Sequence, residues 1–279
     1  MLPTINTDIC TRCGLCNDDC VAGAIDSQTM MINAKSCMGC GHCIAICPVA
    51  APSLVDPSSA SLPQGGSNAF ASLVQLRRSV RRYRPEPISE QHLAALLDTV
   101  RFAPTGTNSQ GMAVTVLASA SKVQEAVGLA LAFYQRLATI ALNPLTRPVL
   151  RLVMGKTRLH KLLGYRHHLQ EALDQHQERD ILAHNAPALF IFHAGKSSST
   201  PAEDAVIWAT TASLHAESLG IGTCYNGFLT RGINGSAKLR QFLKIPAGNK
   251  VYCCFTAGYP RVNYARPAPR PAVNVQLIR

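Results

Sequence analysis

Apolar and polar residues follow two different periods along most of the chain, and these periods predict its strands and helices. Short alternating or continuously apolar runs are typical of strands. Such runs occur at 112–118, 188–194 and 251–258. Apolar residues on one helical face are typical of amphipathic helices. Helices are predicted at 69–77, 89–103 and 202–219. The alternation of strands and helices predicts an α+β or α/β domain.

Local signals sharpen the ends of some of these elements. Ser89 precedes the second helix and is a favoured N-cap residue, whereas Pro104 follows it and cannot continue it. A loop with the sequence APTGTNSQ then spans 103–110. The segment 220–228 (GIGTCYNGF) is rich in glycine and is predicted to form a turn.

The first fifty residues show neither period and instead hold eight of the eleven cysteines. The cysteines form two arms with the spacing C-x2-C-x2-C-x3-C, offset by 27 residues. The arms are Cys10, Cys13, Cys16 and Cys20, and Cys37, Cys40, Cys43 and Cys47. This is the spacing of bacterial two-cluster ferredoxins, in which the fourth cysteine of each arm binds the other cluster.

The spacing therefore predicts two [4Fe–4S] clusters, each bound by three cysteines of one arm and one of the other. The predicted ligands are Cys10, Cys13, Cys16 and Cys47 for one cluster, and Cys37, Cys40, Cys43 and Cys20 for the other. Zinc sites or disulfides are the alternatives, since C-x2-C pairs also bind zinc. Two arms of identical spacing favour the clusters. Val21 replaces the proline that usually follows the first arm, and this change is expected to alter local shape without removing a ligand.

Composition sets the domain organisation and the compartment. The chain has 279 residues, of which 47 % are apolar, which is enough for two domains with ordinary cores. The segment 56–68 is rich in Ser, Pro and Gly and predicts a linker between a domain at 1–55 and a domain at 69–279. No apolar run suits a transmembrane helix, and the start of the sequence lacks the features of a signal peptide. Clustered cysteines in that setting predict a reducing, cytoplasmic environment.

Charge is distributed unevenly between the two predicted domains. Residues 1–55 hold two basic and four acidic residues, a net charge of −2. Since the whole chain has a net charge of +11, the remaining residues carry +13. Such a field suits an anionic cofactor or an acidic redox partner; nucleic-acid binding is an alternative that is not expected. Between Tyr134 and His168 there are seven Arg or Lys and no Asp or Glu. This pattern predicts a basic helical insertion at about 130–180 that covers the active site, extends a dimer or contacts a membrane surface.

Four separated motifs in the second domain resemble those of the FMN-dependent nitroreductase family. They are RRSVRRY at 77–83, APTGTNSQ at 103–110, LGIGTCYNGF at 219–228 and GYP at 258–260. The whole chain resembles fusions of a ferredoxin with a nitroreductase. The resemblance implies an α+β fold in which a mainly antiparallel sheet is flanked by helices, next to a small N-terminal ferredoxin-like iron–sulfur domain. It also implies an intertwined homodimer with FMN at the dimer interface.

The same resemblance implies which residues hold the phosphate and ribityl chain of FMN. Arg77 and Ser79 would contact the phosphate and the ribityl chain, and Arg78 would join the ribityl contacts. Arg266 and Arg270, late in the sequence, would complete the phosphate site.

Other residues are implied at the flavin ring. Arg81 would lie by the pyrimidine edge, where a cation stabilises the anionic reduced flavin. Asn108 and Gln110 would contact the same flavin, partly from the other subunit. Asn226 and Gly227 match the segment whose backbone lies near N5 and O4.

Some positions depart from the family pattern or lie outside it. Gly111-Met112 stands where the family often has Pro-Trp, so the substrate pocket is expected to differ in shape. Cys253 and Cys254 lie in an apolar strand and are predicted to be buried structural residues. Cys224 is predicted to be structural as well, close to the flavin. No side chain is identified as a catalytic acid or base.

These features together predict an iron–sulfur flavoprotein oxidoreductase. A low-potential donor such as ferredoxin would load the clusters, the clusters would reduce FMN, and FMN would reduce a nitroaromatic or similar small-molecule acceptor. Reductive dehalogenation and enone or quinone reduction are alternatives on the same scaffold. A non-enzymatic electron-relay subunit is a further alternative. NAD(P)H remains open as the donor, since the family uses it without a Rossmann motif.

Overall fold

The computed structural model describes residues 2–54, 69–142, 152, 155, 180–196 and 198–279. The chain divides into two compact units. The N-terminal unit comprises Met1–Arg78 and Arg261–Arg279, and the sheet unit comprises Ser79–Pro260. This division differs from the predicted domains, because 69–78 and 261–279 group with the N-terminal unit. The predicted linker at 56–68 and most of the predicted basic insertion lie outside the described residues.

The N-terminal unit is built from short elements around the cysteine arms. Strands β1 (Pro3–Ile5) and β2 (Pro52–Leu54) pair in antiparallel fashion, and α3 spans Ala69–Leu76. Each arm contains one short helix, α1 (Leu15–Asp19) or α2 (His42–Ile46). A glycine with a φ of about 75° precedes both helices, so the two arms turn in the same way.

The sheet unit contains a four-stranded sheet in which all neighbouring strands are antiparallel. The strands, in spatial order, are β3 (Met112–Leu117), β4 (Ala188–Ala194), β6 (Lys250–Gly258) and β5 (Gly222–Tyr225). The helices are α4 (Glu90–Val100), α5 (Ala120–Leu142), α6 (Pro201–Ser218), α7 (Gly227–Gly235) and α8 (Ala237–Phe242). The predicted α+β fold with a mainly antiparallel sheet is confirmed.

Helices cover both faces of the sheet, which explains why β4 is apolar at almost every position. Phe190 and Phe192 pack in one core cluster together with residues of α4 and α6. Leu189 and Ile191 pack in a second cluster with residues of α5, α7 and α8. A strand buried on both faces has no polar side, so its sequence reads as continuously apolar.

Helix α5 runs from Ala120 into the beginning of the predicted basic insertion. It is the longest described helix, with 23 residues. In the part of the chain that the structure describes, no helix combines the length and apolar character needed to cross a membrane.

The segment 220–228 differs from the predicted turn, because Gly222–Tyr225 forms strand β5. A Cβ atom at Gly222 would lie 2.5 Å from Cγ2 of Val80. Glycine therefore lets the 79–80 segment approach the strand closely, and Val80 N donates to Thr223 O at 3.0 Å. Here glycine serves close packing in a strand and not a turn.

Candidate iron–sulfur and flavin sites

The eight arm cysteines surround two separate pockets of the N-terminal unit, four around each. The first pocket is lined by Cys10, Cys13, Cys16 and Cys47. The second is lined by Cys20, Cys37, Cys40 and Cys43. Each pocket takes three cysteines from one arm and the fourth from the other. This grouping is the same as the one expected for two clusters with exchanged fourth ligands.

The arrangement of the thiols separates these pockets from zinc sites and disulfides. All eleven cysteines are free thiols. Four thiolates bound to one zinc ion at about 2.3 Å would lie about 3.8 Å apart. Among the described residues, no three His, Cys, Asp or Glu side chains are grouped as a single metal ion requires. Four thiols spread around a pocket suit a larger group such as a four-iron cube.

The sulfur atoms already accept hydrogen bonds from the backbone. Arg12 N donates to Cys10 Sγ at 3.4 Å, and Gly39 N donates to Cys37 Sγ at 3.4 Å, which is the equivalent contact in the second arm. N–H···S bonds of this kind orient cluster ligands and influence the reduction potential. The residues present therefore fit the clusters that the spacing predicts.

Burial keeps some of these thiols protonated in the metal-free protein. It raises the pKa of Cys43 to about 12, with a further contribution from the neighbouring Cys40. Burial also raises the pKa of Cys16. Metal ligands must be thiolates, so cluster insertion would release these protons.

Two of the motifs at the predicted flavin site meet in the sheet unit although they lie far apart in sequence. Ser79 forms a parallel β-bridge with Thr223 of β5. Arg81 Nη1 donates to Ser79 O at 3.3 Å, and the buried Tyr83 hydroxyl donates to Val80 O at 2.6 Å. The bridge holds the 79–83 segment against the strand that leads to Gly227, and the other two contacts fix the shape of the segment itself.

Arg77 and Ser109 each carry a buried polar atom that lacks a partner among the described residues. The atoms are Arg77 Nη1 and Ser109 Oγ. Buried donors without acceptors are rare in folded proteins, and a guanidinium in this state suits an anion such as a phosphate. Arg78 is also buried, and its Nη1 donates to Arg77 O at 2.6 Å. Ser109 was not predicted; its only sequence signal is its position between Asn108 and Gln110.

The loop at 103–110 brings Asn108 and Gln110 together. Gln110 Nε2 donates to Asn108 Oδ1 at 3.3 Å, and both side chains are exposed. Thr107, Asn108 and Gln110 have φ values of 51°, 52° and 47°. Left-handed backbone is uncommon for residues other than glycine and concentrates at functional sites.

Asn226 and Gly227 have different roles. The Asn226 side chain is buried and caps α7, because its Oδ1 accepts from Leu229 N at 2.9 Å while its Nδ2 donates to Leu182 O. Both ends of this amide are thus used inside the fold, and Asn226 acts as a positioning residue. Gly227 is exposed at the first position of α7, where backbone N–H groups have no acceptor within the helix.

Arg266 and Arg270 have other partners than the predicted phosphate. Both belong to the N-terminal unit. Arg266 Nη1 donates to Ile44 O at 3.0 Å, and Arg270 Nη1 donates to Cys40 O at 3.1 Å. Both guanidinium groups thus contact backbone carbonyls of the second cysteine arm, and their assignment to the FMN phosphate stays a prediction.

The three remaining cysteines are buried in the sheet unit. Burial raises the pKa of Cys254 to about 12 and that of Cys253 to about 11. Cys254 Sγ lies 3.1 Å from Asn226 O and helps to fix the turn before α7. Buried, protonated thiols are unreactive, which agrees with a structural role.

Asp204 holds the 103–110 loop in place. Its carboxylate accepts from Gly106 N at 2.9 Å, from Ser198 Oγ at 2.8 Å and from Thr200 Oγ1 at 2.9 Å. Burial alone would raise the pKa of the Asp204 carboxyl, but these hydrogen bonds outweigh it and lower the pKa below its usual value. The stabilisation is therefore present above the unfolded pKa, about 3.9, and is lost as the pH falls through the lower folded pKa.

We expect Asp204→Asn to destabilise the protein by about 2 kcal/mol at neutral pH, because the amide nitrogen cannot accept these hydrogen bonds. The difference from the wild type should shrink as the pH falls below about 4. Urea unfolding at several pH values measures both effects. Glu203→Gln, at the exposed neighbouring position, is the matched control. An equal loss in both variants, or a loss independent of pH, would contradict this role of Asp204.

Known protein families match both parts of the chain. A family model for the nitroreductase family matches residues 74–259, and a model for a 4Fe-4S dicluster domain matches residues 2–48. The nitroreductase NfnB of Mycolicibacterium smegmatis is 24 % identical over 181 residues, which cover 61 % of this chain and 77 % of that protein.

Solved structures of similar fold come from several bacteria. An FMN-bound nitroreductase from Bacteroides fragilis has a TM-score of 0.55 at 22 % identity and covers 76 % of this chain and 100 % of its own. An FMN-bound nitroreductase from Desulfitobacterium hafniense has a TM-score of 0.53 at 20 % identity, with the same coverage. The FMN-dependent nitroreductase NfnB from Mycobacterium smegmatis, in complex with NADPH, has a TM-score of 0.52 at 22 % identity and covers 75 % of this chain and 98 % of its own.

The family match covers about two thirds of the chain, and the dicluster match covers the cysteine arms that precede it. The predicted fusion of an iron–sulfur domain with an oxidoreductase domain is confirmed. The chain belongs to the nitroreductase family and carries a 4Fe–4S dicluster domain at its N-terminal end.

Proposed function

We propose that this protein is an iron–sulfur flavoprotein in which two [4Fe–4S] clusters supply electrons to FMN for the reduction of a nitroaromatic or similar small acceptor. The observation that carries the proposal is the division of the eight cysteines between two pockets, four around each, in a chain that also holds a nitroreductase-family domain. The cysteine arms would supply thiolates for one-electron carriers, and the nitroreductase-family domain would bind the FMN that reduces the acceptor.

FMN is proposed as the second cofactor because two solved relatives of similar fold contain it. When bound, FMN takes up electrons singly and gives them up in pairs, which joins one-electron carriers to a two-electron reduction. Arg77 would neutralise its phosphate, and Ser79 would contact the phosphate and ribityl chain. Arg81 would stabilise negative charge on the reduced ring, and the Gly227 backbone would orient it.

A low-potential protein such as ferredoxin is the proposed electron donor. Clusters accept one electron at a time, whereas a nicotinamide delivers two electrons as a hydride and has no need of them. The NADPH complex of the M. smegmatis relative makes NADPH the competing donor. A direct comparison of the two donors therefore belongs to the test of function.

A homodimer is proposed as the assembly. The sheet unit exposes several apolar side chains, with exposed fractions of 53 % for Val206, 38 % for Tyr225 and 51 % for Phe228. Exposed apolar side chains of this size suit an interface with a second copy.

The test uses protein purified without oxygen. We expect about eight iron and eight sulfide per chain, with one FMN. Stopped-flow mixing with reduced ferredoxin should bleach the flavin faster than mixing with NADPH, and a nitroaromatic should restore its colour with release of product. Zinc in place of iron, or purification without flavin, would refute the proposal. Flavin reduction without product release would indicate an electron-relay subunit.

Arg77→Gln should weaken FMN binding about 10- to 100-fold, because a charge-assisted hydrogen bond to phosphate contributes about 1.5–3 kcal/mol. Flavin fluorescence during dialysis against known FMN concentrations measures the change. The matched control is Arg84→Gln, since Arg84 is 59 % exposed and pairs with Glu86 at 3.6 Å. Unchanged affinity in Arg77→Gln would exclude Arg77 from the phosphate site.

A further inference from the structure

The segment after Pro260 is a closely fitted part of the iron–sulfur unit. Val262 and Tyr264 pack against the core cluster that contains Cys16 and Ile46. Ala265 N donates to Ala45 O at 2.9 Å. These contacts tie residues more than 200 positions apart in sequence to the second cysteine arm.

Gly41 shows how tight this fit is. A Cβ atom at Gly41 would lie 3.0 Å from Ala268 Cβ and 3.3 Å from Pro269 Cδ, and its φ of 75° favours glycine in any case. The segment thus passes directly over the turn between Cys40 and Cys43. The segment can approach the second arm this closely because Gly41 has no side chain.

Arg266 binds the end of α2 beside a cysteine of the first pocket. Its guanidinium donates to Ile44 O at 3.0 Å, to Cys47 O, and to Pro48 O at 3.5 Å. The last carbonyls of a helix lack intrahelical donors and carry partial negative charge, so a guanidinium binds there favourably. Cys47 lines the first pocket, and the cation of Arg266 therefore lies at its backbone.

Arg270 contacts one carbonyl at the second pocket, where it is more exposed than Arg266. Its Nη1 donates to Cys40 O at 3.1 Å, and Cys40 lines the second pocket. One guanidinium is thus bound to the carbonyl of one cysteine in each pocket. The carbonyl contact fixes each cation close to the pocket without using a cluster ligand.

We propose that Arg266 and Arg270 set the reduction potentials of the two clusters, Arg266 for the cluster of the first pocket and Arg270 for that of the second. This inference rests on the proposed function, because it requires the clusters. Each cluster takes up one electron from the external donor, without a bond being formed or broken, and its charge becomes more negative by one. A fixed cation nearby stabilises the reduced form relative to the oxidised form and raises the potential.

The other charges of this region have the opposite effect to the arginines. Residues 1–55 have a net charge of −2, and the buried Asp19 lies next to Cys20 of the second pocket. Negative charge of this kind opposes reduction. The two guanidinium groups counteract it and make both clusters easier to reduce by the donor.

The test is a potentiometric titration of anaerobically purified, full-length protein with dithionite and mediators, followed by electron paramagnetic resonance. Arg266→Gln should affect the cluster of the first pocket, and Arg270→Gln that of the second. At the midpoint potential of that cluster in the wild type, we expect the ratio of its reduced to its oxidised form to fall about tenfold. For a one-electron couple this is a shift of about 59 mV. Arg261→Gln, which removes the charge of an exposed residue in the same segment, should change the ratio less than twofold.

Lysine variants separate charge from structure. Arg266→Lys and Arg270→Lys keep the cation and should stay within about threefold of the wild-type ratio. Iron and sulfide are measured first in every variant. Where a glutamine variant loses its cluster, the potential of the lysine variant is used to test the inference. Potentials unchanged in fully loaded glutamine variants, or lowered as much by lysine as by glutamine, would overturn the inference. Wild-type protein without clusters would instead refute the proposed function.

Discussion

Replacing Cys47 with alanine is expected to remove about half of the iron, and the lost cluster should be the one in the first pocket. Cys47 belongs to the second arm in sequence, but it lines a pocket with Cys10, Cys13 and Cys16. A four-iron cluster that loses one of its four protein ligands exposes an iron corner to solvent and exogenous ligands. We therefore expect iron to fall from about eight per chain in the wild type to about four in the variant, both purified without oxygen and then exposed to air for the same short time.

Double variants decide which cysteines share a cluster. Cys10→Ala combined with Cys47→Ala should lose no more iron than Cys47→Ala alone, because both residues line the first pocket. Cys43→Ala combined with Cys47→Ala should lose nearly all iron, since Cys43 lines the second pocket. If each arm instead bound its own cluster, the two results would be exchanged.

The matched control for these variants is Cys253→Ala. Cys253 is a buried free thiol in β6, away from both pockets, so its removal should leave the iron and sulfide content unchanged. Iron, sulfide and the resonance signal of the reduced clusters are the readouts. Iron loss in this control would show that the measurement reports general destabilisation.

The cysteine grouping could be predicted from the sequence because its information is local and repeated. Each arm places its ligands by spacing alone, and in ferredoxins with this spacing the fourth cysteine of each arm binds the other cluster. In the structure, the same four cysteines line each pocket. Spacing of this kind requires no knowledge of how the rest of the chain folds.

The strands and helices of the sheet unit could also be predicted where burial gives a clear period. The continuously apolar run at 188–194 is β4, which is buried on both faces. Ser89 was predicted as an N-cap, and its Oγ accepts from His92 N at 3.2 Å. In both cases the signal arises from the residue's own element, so distant contacts are not needed to read it.

Short elements and long-range contacts could not be predicted. Strands of three residues such as β1 contain less than two periods, and a helix of five residues such as α1 forms only because the surrounding arm positions it. Arg266 and Arg270 lie in a segment, 266–271, in which every second residue or so is proline, and its sequence does not specify a partner. A resemblance placed them at a phosphate, whereas the structure places them on the carbonyls of the second arm.

The predicted basic insertion at about 130–180 stays a prediction beyond α5. Its first part is the end of that helix, which contributes Tyr134 to the support of α7 through a hydrogen bond from its hydroxyl to Phe228 O at 2.7 Å. The segment 226–229 is therefore held by Tyr134, by the cap residue Asn226 and by Cys254. The side chain of Asn226, a residue matched to the flavin site, therefore has a structural role as the cap of α7.

The second large effect is expected for Gly106→Ala, in the loop that presents Asn108 and Gln110. An added Cβ would lie 2.0 Å from Thr200 Oγ1 and 2.9 Å from Ser199 Oγ. Thr200 Oγ1 donates to Asp204 Oδ1, the same oxygen that accepts from Gly106 N, so its movement would break a hydrogen bond to the group that anchors the loop. Because the loop must shift, we expect a loss of about 1–3 kcal/mol in the free energy of unfolding and weaker FMN binding.

Two further variants make the cause of that loss visible. Gly128→Ala lies in α5, where an added Cβ has nothing within 4 Å, and helix propensity predicts a gain of about 0.5–1 kcal/mol. Thr200→Ala removes the closest atom, so the double variant with Gly106→Ala should lose less than the two single variants added together. Urea unfolding and FMN content measure these effects. Additive losses would show that the added Cβ does not act through Thr200. The shape of the loop would then depend on other residues.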